Sequence, residues 1–310
     1  METPQALLVV SFGGPESPEE ILPFLRRVVA GRGVPDSRLA GVAEHYHHLG
    51  GRSPINDQCR ALIAALRDVV DLPIYWGNLN WPPELVDAVA QMADDGIERA
   101  VAFVTSGFGS PPGCKRYRDA TAAAQSSVGP RAPTIDKLPL FGTERGFVDA
   151  MAARVGDALA RLPSGRLVFS THSIPTAMAG RCPYLAQLRT SAAAIASAVG
   201  RDDWDLVFQS RSGPPSMPWL EPDVCDRIAA LGAEGHEGVV VVPIGFVSDH
   251  VEVLWDLDVE AAQAAEAAGM AFARAGTVDT HPAFLRLIAD QVHAGLPLPR
   301  GCGEHCCGAG

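Results

Sequence analysis

Basic residues and aromatics are both scarce in this chain. It sets 25 Lys and Arg against 36 Asp and Glu, a formal net charge of −11, and only 6% of its residues are Phe, Trp or Tyr. A polyphosphate backbone needs clustered cations to neutralise it, so nucleic acid is not an expected partner. No apolar run reaches the roughly 20 residues that span a bilayer. The opening METPQALLVVSF has neither a basic leader nor a long apolar core before Gly13 and Gly14. A cytoplasmic protein with no integral membrane segment is expected. Also missing is the G-x-G-x-x-G spacing that lets a backbone approach a pyrophosphate: the first strand-end loop reads GGPES, which sets aside a nucleotide-dependent enzyme.

What is present is enough apolar material for more than one core. At 310 residues and 47% hydrophobic, the chain exceeds the length at which a single core stops growing. Short apolar runs recur, each ending in a loop of Gly, Ser, Asn or Pro. They are ALLVVSFGGP, LPIYWGNLNWPP and AVAFVTSGFGS in the first half, then RLVFSTHSIP, DLVFQSRSGPP and GVVVVPIGFVSDH in the second. Runs that do not alternate suit strands buried on both faces, hence parallel sheets flanked by helices. Between them QCRALIAALRDVV, DAMAARVGDALARL and AAIASAVG carry apolar residues at helical spacing. The expectation is an α/β protein of two doubly wound domains, 1–143 and 144–298, meeting near the Pro- and Gly-containing stretch 129–143. A final helix over 283–296 then leads into a Cys-rich tail, 299–310.

In such sheets ligands bind beyond the carboxyl ends of the strands. His172 stands there, in THSIP, although a lone strand-end His is equally a polar loop residue. The segment SDHVEVLWDLDVEAA places Glu252, Asp256 and Glu260 at i, i+4 and i+8. On an α-helix these form one line, and a wider helix of the π type brings them closer to eclipsed. Like charges at this spacing repel unless a cation or solvent compensates, so the row is either a solvated acidic face or a path for a divalent metal. Asp249 and His250 adjoin it. Phe12, Trp76, Trp81, Phe108, Trp219 and Phe246 fall on the other strand-end loops. Singly they read as packing; together they suit a flat hydrophobic ligand. His45, His47, His48 and Arg52 lie around HYHHLGGRSPI. The histidines read as helix-end residues, with Arg52 offering charge to an anionic ligand group.

The ordered segments SFGGPESPEEILPFL, GRGVP, HYHHLGGRSPIN, GNLNWPP, STHSIP, FQSRSGPP, PWLEPDV and PIGFVSDHVEVLWDLD resemble those of the ferrochelatases, most nearly the actinobacterial-type coproporphyrin III enzymes. The resemblance implies the type II chelatase fold, with two Rossmann-like domains and a porphyrin in the cleft between them. It also implies a monomeric lyase of haem biosynthesis that inserts Fe2+ and releases two protons. It assigns the active-site pair to His172 and Glu252, the further acidic positions to Asp256 and Glu260, and the porphyrin wall to Phe12, Arg52, Ser53, Trp219 and Phe246. Coproporphyrin III is favoured over protoporphyrin IX. A haem or porphyrin carrier without chemistry is the alternative. Two departures stand out: Leu79 in GNLNW occupies a place where related sequences often carry Arg, and Phe12 replaces a Tyr of another branch, so it has no oxygen to offer iron.

Seven Cys in a chain of this kind read as thiols or metal ligands, not disulfides. The resemblance implies a [2Fe–2S] cluster held by Cys114 with Cys302, Cys306 and Cys307, since four thiolates are what such a cluster requires. A Cys₃His zinc site with His305, or thiols in a frayed tail, are the rival readings.

Overall fold

The computed structural model describes residues 3–213 and 216–294. Its strands β1 (Ala6–Ser11), β2 (Ile74–Asn78), β3 (Arg99–Val104) and β4 (Thr134–Lys137) form a parallel sheet in the order β2-β1-β3-β4. The strands β5 (Arg166–His172), β6 (Trp204–Gln209), β7 (Gly238–Val242) and β8 (Ala271–Arg274) form a second in the order β6-β5-β7-β8. The plan is the same twice: Leu7 of β1 lies between Ile74 and Val101, as Leu167 of β5 lies between Trp204 and Val240. Every residue of β1 and of β7 is buried, which is why their sequences run apolar without alternation.

Parallel neighbours need crossovers, and helices supply them. In the first half these are α1 (Ile21–Val28), α2 (Asp36–His48), α3 (Ile55–Leu66), α4 (Leu85–Asp94) and α5 (Arg116–Val128). Helix α6 (Arg145–Arg161) leads into β5; α7 (Thr176–Ala179), α8 (Tyr184–Ala198) and α9 (Val224–Ala233) follow. Between β7 and β8 comes a composite helix: α10 (Val251–Val253), a π-helical stretch Leu254–Ala261, and α11 (Ala262–Ala267). Helix α12 (Pro282–His293) closes the described chain.

One expectation is extended and one corrected. The stretch 129–143 is not only a connection, because Thr134–Lys137 pairs with β3 as the edge strand β4. Its TIDK has a single aliphatic residue, too little to mark a strand that is covered on one side only. The final helix begins at Pro282, which sits at the first helical position where its missing N–H costs nothing, and the described helix ends at His293. The tail cysteines Cys302, Cys306 and Cys307 lie outside the described residues.

In each sheet the order reverses beside the first strand, so the crevice opens past the ends of β1 and β3 and of β5 and β7. Phe12 follows β1, His172 ends β5, and the loop after β7 runs into the composite helix. One apolar core joins the two sheets, with Leu7 and Phe103 of the first packed in the same cluster as Phe169 and Val240 of the second. Phe284 of α12 is central to it, with ring centroids 5.9 Å from Phe103, 5.1 Å from Phe141 and 6.1 Å from Phe147. Its side chain is fully buried. Phe284→Ala is expected to lower unfolding stability by about 3–5 kcal/mol in urea titrations, the range for a buried Phe that leaves a cavity; a loss below about 1 kcal/mol would mean that α12 docks weakly.

Candidate active site

His172 is the last residue of β5, and its backbone is held from below. Tyr184 of α8 donates its hydroxyl to the His172 carbonyl at 3.0 Å and lies 2.7 Å from Thr171 Oγ1. Gly245, after β7, lies so close that a Cβ there would sit 2.0 Å from Thr171 Oγ1. Only a glycine permits that approach, and it brings the β7 loop against the end of β5. The His172 ring donates from Nδ1 to the Ser173 carbonyl at 2.5 Å. A carbonyl can only accept, so Nδ1 carries the proton and Nε2 presents its lone pair in the neutral ring. Nε2 faces Glu252 Oε2 at 3.8 Å, with about a third of the His side chain and half of the Glu side chain open to solvent.

Glu252 stands at the start of the composite helix, and Asp256 and Glu260 lie in its π-helical part. A π-helix makes i and i+5 neighbours, and Trp255 uses this to donate from Nε1 to Glu260 Oε1 at 2.8 Å. The Trp255 ring in turn stacks on His45 of α2, centroids 4.0 Å apart and planes within 6°, with His48 edge-on at 5.3 Å. The three histidines of this segment therefore lie within the last turn of α2, and two of them grip the composite helix. Burial holds the His45 imidazole below the usual histidine range, against the nearby charge of Glu260.

Asp256 is the most perturbed acid of the row. Gln209 Nε2 donates to its Oδ2 at 3.2 Å and also to the Glu252 carbonyl at 3.2 Å, while Ser170 fixes the other end of the Gln209 amide at 2.6 Å. Ser210 donates to the same Asp256 oxygen from a backbone with φ of 58°, a conformation that costs a non-Gly residue of order 1 kcal/mol. Burial pushes the Asp256 carboxyl up to about 7; the Ser210 hydrogen bond lowers it, and the charges of Glu252 and Glu260 raise it. On the far side of the helix Arg274, at the end of β8, bonds Asp258 at 2.6 Å and Asp249 at 3.0 and 3.3 Å. Asp249 is thus spent on the scaffold, its N–H also bonded to Gln58 Oε1 of α3 at 2.7 Å. His250 packs edge-on against Phe246 at 5.1 Å, and burial keeps it below the ordinary histidine range.

The remaining expected wall residues fall into three groups. Phe12 packs edge to face on Phe24 at 6.3 Å in a cluster that also holds Tyr46, Trp81 and Val251, the neighbour of Glu252. Tyr46 is close enough to Glu252 for that charge, added to burial, to hold its phenol well above the usual range. Trp219 lines up against Pro175, three residues beyond His172, and its indole N–H is buried without a partner among the described residues. Arg52 pairs with Asp57 of α3, both side chains about half exposed, and Ser53 is buried with its hydroxyl accepting from Ile55 N–H at 3.4 Å. Among the described residues no three His, Cys, Asp or Glu side chains gather into a closed cage; the acids form a row.

Sequence reasoning left out Gln209, Ser210, Trp255 and Arg274. Gln209 and Ser210 lie directly past β6, where the sheet rule points, and that placement was the available signal. Nothing local marks Arg274, whose partners are 16 and 25 residues away.

The raised Asp256 pKa fixes a sign. The folded chain keeps this proton up to about pH 7, whereas an unfolded chain releases it near 3.8, so folding stability falls as pH rises through that window. In metal-free protein, urea midpoints measured from pH 4 to 8 should show Asp256→Asn gaining on the parent as pH rises and levelling above about pH 7; parallel curves would refute the assignment.

The sequence matches the family model Ferrochelatase over residues 4–296. It is 48% identical to the coproporphyrin III ferrochelatase of Frankia alni, across 97% of this chain and 86% of that protein. It is 47% identical to that of Mycolicibacterium smegmatis, across 95% and 92%, and 48% identical to the ferrochelatase of Rhodopirellula baltica, across 97% and 93%. Among solved structures, SirB from Bacillus subtilis with Fe3+ superposes with a TM-score of 0.60 at 11% identity, covering 94% of this chain and 96% of that one, a likeness of fold alone. With two parallel sheets on one plan and a family match over nearly its whole length, the chain belongs to the ferrochelatases.

Proposed function

We propose that this protein inserts Fe2+ into coproporphyrin III in the cleft between its two sheets. The observation that carries the reading is the His172–Glu252 pair, 3.8 Å apart with the His Nε2 lone pair facing the gap, at the head of the acidic row. The names of the relatives from Frankia alni and Mycolicibacterium smegmatis support coproporphyrin III as the porphyrin.

Metallation replaces two pyrrole protons by one divalent cation. His172 removes pyrrole protons at Nε2, whose lone pair is left free because Nδ1 donates to the Ser173 carbonyl. Glu252 heads the row through Asp256 to Glu260, which holds entering iron loosely through hard carboxylate oxygens. A planar porphyrin keeps its lone pairs in the ring plane, so the wall built around Phe12, Trp219 and Phe246 must pucker it, at a strain of about 1–5 kcal/mol drawn from binding. With wild-type protein, coproporphyrin III should outcompete protoporphyrin IX for Fe2+ insertion. His172→Ala should slow that insertion by about 10²-fold or more, the scale of a lost general base, while coproporphyrin III still quenches protein fluorescence. Wild-type protein that binds porphyrin and makes no metalloporphyrin would instead identify a carrier.

A [2Fe–2S] cluster on Cys114, Cys302, Cys306 and Cys307 belongs to the same reading. Cys114 is buried in a π-helical turn, Pro111–Lys115, at the start of α5, and its three partners lie outside the described residues. Four thiols, one of them shut away from water, fit such a cluster in number and kind. Bound there, it would supply a redox-sensitive crosslink between this turn and the C-terminal tail. Protein purified without oxygen should be coloured and contain iron and acid-labile sulfide in equal amounts, both lost in Cys114→Ser. Zinc in their place would favour the Cys₃His site.

A further inference from the structure

Arg116, the first residue of α5, reaches over the Phe12 ring with its guanidinium 5.6 Å from the ring centroid. It donates from Nη2 to Asn80 Oδ1 at 2.6 Å. Asn80 is buried and returns its own amide to the Phe12 carbonyl at 3.1 Å, so the guanidinium is fixed to the strand-end loop that forms the wall. Its partners are an amide oxygen and an aromatic face; no carboxylate pairs with it among the described residues. Three other partly covered arginines are held by carboxylates. Arg166 meets Asp203 and Asp205, Arg227 meets Asp205 and Glu234, and Arg274 meets Asp249 and Asp258. Burial and the neighbouring charge of Arg32 both work against the Arg116 cation. A guanidinium cannot shed its proton to escape this, as a lysine would. A half-covered cation held rigidly beside a neutral amide is therefore a place for an anion that arrives from outside.

The place is the substrate wall itself. Phe12 belongs to the cluster that includes Val251, next to Glu252. The same loop, residues 79–84, carries no cation, and Leu79 packs into the apolar core around β1 and β3. We propose that Arg116 is an anion subsite of the cleft that takes a propionate carboxylate of the porphyrin and helps to select carboxylate-rich porphyrins. This rests on the functional reading above. The planar fork suits a carboxylate in two parallel hydrogen bonds, and Asn80 orients it before the ligand arrives.

The test compares wild type, Arg116→Gln and Arg116→Lys on coproporphyrin III and on its tetramethyl ester, both dispersed in the same detergent. Affinity is read by fluorescence quenching and insertion by metalloporphyrin absorbance. Arg116→Gln should raise Kd and KM for the free acid about tenfold or more with kcat nearly unchanged. Arg116→Lys should recover only a minor part of the loss, because an ammonium lacks the planar fork and can shed its proton in a half-covered site, and the ester should bind all three proteins alike. An unchanged Kd for the free acid, or an equal loss for the ester, overturns the inference. Because binding is read apart from turnover, protein that binds through Arg116 but inserts no iron would sink the functional reading and leave this one standing.

Discussion

Three carboxylates on one face of a helix repel one another, and much of the second half of the molecule is arranged to hold them there. Glu252, Asp256 and Glu260 recur at i+4 spacing, which by itself destabilises a helix. The chain offsets the repulsion by bringing a different group to each acid. Gln209 and Ser210, from the end of β6, bond Asp256, and burial then keeps that carboxyl largely protonated below neutral pH. Trp255 donates to Glu260 across the π-helical turn. Glu252 alone is left facing His172. On the outer face Arg274 ties Asp249 to Asp258, nine residues apart, and so braces the stretch over which the helix widens. A π-helix is rare because its hydrogen bonds and packing are poorer, and it persists where surrounding contacts over-determine it. Here those contacts come from β6, β8 and α2.

The same row explains why the two sheets must share one core. His45 of α2 stacks on Trp255, and Gln58 of α3 accepts from the Asp249 backbone, so two helices of the first half hold the acidic segment of the second. Phe284 makes the reciprocal link, a ring of the last helix packed on Phe103 and Phe141 of the first half. The Phe12 cluster and the acidic row are thereby fixed relative to each other by contacts that cross between halves. In the proposed reaction such rigidity has a use, because a wall that yields stores no strain in the porphyrin.

Most of the fold is legible in the sequence. The six apolar runs become strands because a parallel sheet covered on both faces has no solvent side to enforce alternation. The edge strands β4 and β8 escape notice for the complementary reason. Their TIDK and AFAR are short and half exposed, and pairing, not composition, makes them strands. The glycine before Phe246 likewise looks like an ordinary loop residue until Thr171 is seen within 2.0 Å of the Cβ it lacks.

For the site, the sequence by itself determined which residue types stand past the strand ends and that three acids share a helical face. Those are consequences of local periodicity, and periodicity is written along the chain. Only the tertiary structure decided which of them meet. His172 and Glu252 are 80 residues apart and touch because β5 and β7 are neighbours. Arg52 and Ser53 find their partners close by in the chain, Arg52 an exposed ion pair with Asp57 and Ser53 the backbone N–H of Ile55. Arg116, unremarkable in the sequence, arrives beside Phe12 because β3 lies next to β1 and the segment after β3 leads through the turn Pro111–Lys115 into α5. Charge partners are set by distance in space, and distance in space is what the chain's order does not contain.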